Sequence, residues 1–139
     1  MTDITREEMV GVKFLQTKAW ILLLLIQVLM LIISISGENG PVGEGSVLHA
    51  YLTNDQTDAG IELKLRGSLV IGMSIFGFAI LTNAYRKGLR WSWYVCWVYP
   101  LYFLLHIIGF GTFMPDIIFL LLSLAALFLP YKLFFKATS

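Results

Sequence analysis

Two side chains stand out as able to do chemistry in a chain with little else to offer. His106 lies in the apolar run WYVCWVYPLYFLLHIIGF. An ionisable side chain inside a membrane-length run is expensive, so it is by default a candidate site. A short turn then leads to Asp116 at the start of the next apolar run. A neutral imidazole hydrogen-bonded to a carboxylate costs far less than a charged one in contact with acyl chains. His106 is therefore expected to face a polar partner among Asp116, Glu62, Tyr102 and the loop backbone. Arg66 and His49 are expected at the same level. Such a cluster suits a lipid, a quinone or a metal ion.

The surrounding patterns argue against more elaborate chemistry. No HxxxH, ExxH or CxxC spacing is present, so no metal is assigned. G-x-S-x-G, the phosphate-binding loop, H-E-x-x-H and CxxCH are missing too. The one cysteine, Cys96, cannot form an intramolecular disulfide. No catalytic residue and no cofactor are assigned. A net charge of +1, without a basic motif, gives no reason to expect nucleic acid.

The elements that must position these residues follow from hydropathy. Of 139 residues, 58% are hydrophobic and 14% charged, with a mean hydropathy of +0.77. Soluble domains are about half apolar and about a quarter charged. Four apolar runs are long enough for a hydrocarbon core of about 30 Å: residues 19–36, 67–85, 91–109 and 113–131. The expected fold is all-α, a single four-helix transmembrane bundle with one long connection, residues 37–66. A repeat-built transporter is not expected from four short spans without an inverted repeat. The first run is too long for a signal-peptide core and lacks a small-residue cleavage site, so it is expected to be retained.

Local signals refine this plan. Thr5 with Glu8 fits a capping box. Within the connection, GENGPVGEGS reads as loop, VLHAYL as a short helical turn and Asn54 to Asp58 as a second turn. Thr57 or Asp58 caps the helix that becomes the second span. Pro115 suits the first turn of the fourth. Pro100 removes a donor from the third and leaves the Cys96 carbonyl in need of another.

Two faces are visible in the spans. Ser68, Gly72, Ala79 and Asn83 share one face of the second and predict a close helix contact, inside the bundle or with a partner. Ser92, Cys96, Tyr99, Tyr102 and His106 share a face of the third. Seven of the thirteen residues from Trp91 to Phe103 are aromatic, which suits an interfacial belt or a flat pocket for a quinone or sterol.

Orientation follows from the cations. Arg6, Lys13, Lys18, Arg86, Lys87, Arg90, Lys132 and Lys136 fall on one side, eight of the ten Lys and Arg; Lys64 and Arg66 fall on the other. The positive-inside rule places both termini and the RKGLR turn in the cytoplasm.

The stretch TDAGIELKLRGSLVIGMSIFGFAIL resembles the lead into the second helix of small prokaryotic four-helix membrane proteins of the DoxX-like and uncharacterised kind. AYRKGLRWSWYVCWVYPLYFLLH resembles their R-x-G-x-R-W-x-W turn, carried here by Arg86, Gly88, Arg90, Trp91 and Trp93, with Pro100 and His106 later in the helix. The likeness covers roughly residues 57–131 and departs in spacing before Gly67. It implies a four-helix fold and a prokaryotic cell membrane, and carries no activity. Taken together, the expected role is non-catalytic: an accessory or structural subunit of a membrane complex, or a homo-oligomer. The alternative is a lipid-, quinone- or metal-binding protein or enzyme with an outward-facing pocket around His106.

Overall fold

The computed structural model describes residues 6–111 and 114–135. Its elements are α1 (Arg6–Ile35), α2 (Val47–Leu52), α3 (Asp58–Ile80), a π-helical turn (Leu81–Tyr85), α4 (Arg90–Val95), α5 (Val98–Phe110), α6 (Asp116–Phe128) and α7 (Tyr131–Phe135). There is no strand among the described residues. Four stretches are long and apolar enough to cross a membrane: Thr17–Ile35, Asp58–Tyr85, Arg90–Phe110 and Asp116–Phe135. The second begins well before Gly67, because its helix already starts in the polar lead. The Thr5–Glu8 capping box rests on a residue outside the described ones, as does the tail from Lys136.

The chain packs as two compact units, Gln27–Ala79 and the remainder. The mid-chain unit holds the second half of α1, the long connection and α3. Inside it Gln27 Nε2 donates to Ser74 Oγ at 3.1 Å. Arg66 donates to the carbonyl of Ser34 at 3.3 Å, in the last turn of α1, where helix carbonyls lack donors and a cation opposes the dipole. Ser46 caps α2 by accepting from the His49 amide. Thr57 is the residue that caps α3: its carbonyl accepts from the Ile61 amide and its hydroxyl from the Gly60 amide.

The buried face of α3 is Gly60, Gly67 and Ser74, at steps of seven. A Cβ on Gly67 would come within 2.1 Å of Val47 Cγ1. A Cβ on Gly60 would meet the Asp55 carboxyl carbon at 2.3 Å. The stripe singled out in the sequence divides: Ser68 meets the Tyr51 hydroxyl of α2 at 2.6 Å, within the same unit. Ser68, Ala79 and Asn83 are exposed, and a Cβ on Gly72 would find nothing within 4 Å. The close approach inside this unit is thus made at Gly67, against a side chain of α2.

The terminal unit is organised by two prolines. Pro100 has no amide hydrogen for the Cys96 carbonyl, and the third span breaks there into α4 and α5. The Tyr99 amide, at 3.2 Å, supplies the missing donor from one residue nearer. Pro130 likewise deprives the Ala126 carbonyl and separates α6 from α7. The hydroxyl of Tyr85 donates to that carbonyl at 2.8 Å, from the end of the π-helical turn. The indole of Trp93 donates to the next one, Leu127, at 3.0 Å. Arg90 Nε reaches the Phe134 carbonyl at 3.0 Å, in the last turn of α7. Each kink is therefore closed by a named side chain or amide, as a low-dielectric surround demands.

The helices α5 and α6 pair in antiparallel register. Contacts move back along α5 as they move forward along α6: His106 with Asp116, Phe103 with Phe119, Trp97 with Phe128. The aromatic run closes on itself. Trp93 meets Tyr94, Trp97, Tyr131 and Phe135 edge to face, at centroid separations of 5.1–5.7 Å. Trp20 of α1 carries the Arg86 guanidinium over its ring at 5.3 Å.

Candidate functional site

His106 sits one turn before the end of α5, and Asp116 opens α6. The connection is short because α5 stops on Gly111, which takes the left-handed conformation at φ 65° and returns its amide to Ile107 at 2.9 Å. Pro115 occupies the N-cap of α6, one place before the first-turn position expected for it. Its carbonyl accepts from the amides of Ile118 and Phe119. Asp116 thereby falls in the first turn, where the helix dipole favours a carboxylate.

His106 Nδ1 lies 2.9 Å from Asp116 Oδ2. An ionised carboxylate only accepts, so opposite one Nδ1 is the donor of this contact. The Asp116 side chain is 11% exposed and that of His106 33%. Tyr102 and Phe110, one turn before and one turn after, flank the imidazole. Tyr102 stacks at 5.8 Å with planes 22° apart; Phe110 lies at 4.5 Å and is tilted by 40°. The arrangement is a histidine fixed in direction between two rings.

Three of the five residues expected in this site, Tyr102, His106 and Asp116, are brought together. Glu62 and Arg66 lie on α3 in the mid-chain unit, and Arg66 is engaged with the α1 carboxyl-terminal turn. His49 belongs to α2 in the same unit. The polar stripe of the third span divides at the Pro100 break. Ser92, Cys96 and Tyr99 are buried, whereas Tyr102 is exposed. No three of His, Cys, Asp and Glu converge among the described residues.

The chain matches no family model, no curated protein and no solved structure.

The Nε2 atom of His106 offers one lone pair, or one hydrogen when the ring is protonated, beside an aromatic wall. That is enough for single-point recognition of a hydroxyl or carbonyl group.

Among residues that the sequence reading missed, Tyr85 and Trp93 matter most. Their polar atoms serve backbone carbonyls some forty and thirty residues away. The signal for Tyr85 was Pro130, whose missing hydrogen leaves the Ala126 carbonyl waiting for a donor.

Proposed function

We propose that this chain is a non-catalytic integral membrane protein, an accessory or structural subunit that assembles with copies of itself or with a larger membrane complex. Its termini and the RKGLR turn face the cytoplasm in this reading, as the distribution of Lys and Arg requires. The observation that carries the reading is how the buried polar side chains are used. Tyr85, Trp93, Ser92 and Ser123 all donate to backbone carbonyls of the chain itself. Tyr85 and Trp93 close the kink at Pro130, and Ser92 and Ser123 bond back to carbonyls three residues earlier in their own segments. At Gly72, where a Cβ would find nothing within 4 Å, α3 offers a face over which another helix can approach.

The test is purification of the full chain in a mild detergent, followed by mass measurement. A stable homo-oligomer or a co-purifying membrane partner is expected. A monodisperse monomer with no partner, from a membrane where the protein is abundant, would overturn it.

A second reading rests on the His106–Asp116 pair. A histidine oriented by a carboxylate, one-third exposed and walled by Tyr102 and Phe110, suits a ligand with one polar head on an apolar body, such as a quinone or lipid. Extraction of the purified protein checks it. A stoichiometric quinone or lipid that is lost in His106→Ala supports this reading, and equal content in both proteins removes it.

A further inference from the structure

We infer that the kink between α6 and α7 is a binding groove for an anionic glycerophospholipid of the surrounding leaflet, with Lys132 and Tyr131 as its headgroup contacts. The groove is lined by Ala125, Phe128, Leu129, Tyr131 and Lys132 and encloses about 460 Å³. Such a volume is in the range of small-ligand clefts, roughly 300–1,000 Å³.

Pro130 creates it. By ending α6 at Phe128, the proline leaves a step in an otherwise continuous span, and α7 restarts at Tyr131. One end of the step is apolar, Ala125, Phe128 and Leu129, all exposed. The other end is polar, at the last turn of the span, which is headgroup level for a helix of this length. The Lys132 ammonium makes no ion pair and the Tyr131 hydroxyl no hydrogen bond among the described residues. Both are exposed. Tyr131 is held in place nonetheless. Its ring stacks on Phe135 at 4.6 Å and meets Trp93 edge to face at 5.7 Å. A fixed hydroxyl beside an exposed cation, above an apolar trough, matches a phosphate ester above an acyl chain in both charge and polarity.

The same unit carries Arg86, Lys87 and Arg90. By the charge argument these share a membrane side with Lys132, and that cytoplasmic leaflet is the one rich in anionic lipid. Charge complementarity thus selects an anionic over a zwitterionic lipid.

The experiment is native mass spectrometry of the full chain in detergent, titrated with phosphatidylglycerol, phosphatidylcholine or inorganic phosphate. Phosphatidylglycerol is expected to be retained in preference to phosphatidylcholine, and inorganic phosphate not to displace it. Lys132→Gln should weaken phosphatidylglycerol binding about fivefold, the effect of one cation near a charged surface. Tyr131→Phe, which keeps the ring stacking, should weaken it further in combination. Lys64→Gln, in the other unit, should leave it unchanged. Equal retention of the two lipids, or an unchanged affinity in Lys132→Gln, overturns the proposal. Displacement by inorganic phosphate would mark a free-anion site and overturn it as well.

Discussion

The phenolic hydroxyl of Tyr85 and the carbonyl of Ala126 lie 2.8 Å apart, and the reason is a proline four residues after the carbonyl. Pro130 cannot donate, so the bond from Tyr85 substitutes for a helix bond. Tyr85→Phe should lower thermal stability in detergent by about 1–3 kcal/mol, the cost of an unsatisfied buried acceptor. In a Pro130→Ala background the helix donor returns, and the same change should cost much less. Equal losses in both backgrounds would show that the hydroxyl works in some other way.

Gly67 and Gly72 separate packing within the chain from packing outside it. Gly67→Ala drives a methyl into Val47 and should destabilise by about 1–3 kcal/mol. Val47→Ala in the same chain should recover most of that loss. Gly72→Leu meets open space, so the monomer should hold its stability while any assembly over that face weakens. Thermal melts and size measurement on the set distinguish the two glycines. A failure of Val47→Ala to rescue would count against the contact.

The His106–Asp116 pair predicts an asymmetry. Removing the imidazole by His106→Ala takes a hydrogen-bond donor from a carboxylate that is 11% exposed, at a cost of about 1–3 kcal/mol. Asp116→Asn keeps an acceptor oxygen for Nδ1–H and should cost less. Denaturation of the two variants checks this ordering, and a reversed order would mean that the pair is not the main interaction of Asp116.

Asp55 gives the loop before α3 a pH response. Its carboxylate accepts from the Thr57 amide at 2.9 Å and the Thr57 hydroxyl at 2.8 Å, and these bonds hold its pKa below the ordinary 3.8. A folded-state value below the unfolded one means a contribution present above the ordinary Asp range and lost as pH falls through the lowered value. Amide exchange of residues 55–60 should accelerate only in strong acid, after correction for intrinsic rates. Asp55→Asn should flatten that response; an unchanged profile would rule the carboxylate out.

Topology is checked by single cysteines. Gly88 has φ +71° and is a strained place for any side chain, so its exposed neighbour carries the probe. Asn39→Cys should react with an impermeant reagent from outside and Lys87→Cys only after permeabilisation. The native Cys96 is buried and gives little background. Labelling of both from one side would exclude the four-span arrangement.

The legible parts of this molecule were those set by local composition. Apolar runs located the spans, VLHAYL its helix, and Thr57 the start of α3. The short turn before Asp116 put that residue among the partners expected for His106, with Glu62, Tyr102 and the loop backbone, and the structure pairs the two at 2.9 Å. The face of α3 that packs was harder, because small residues occur on two faces and the choice between them is made by Val47 and Tyr51, from a different helix. The π-helical turn was invisible for a related reason. Nothing in LTNAY departs from ordinary helix composition, and what favours the wide turn lies in the distant partners that Tyr85 and its neighbours must reach.

That wide turn has a consequence for how the gene can change. A π-helical turn holds one residue more than an α-helical one, and each residue advances a helix by about 100°. Deleting any single residue from 81–84 would let the segment close into regular helix and change the backbone hydrogen bonds from which Tyr85 reaches Ala126. Substitutions across the exposed positions of this span are cheap by comparison. The stretch should therefore drift in sequence while its length stays fixed, a signature to be read from insertions and deletions, not from identities.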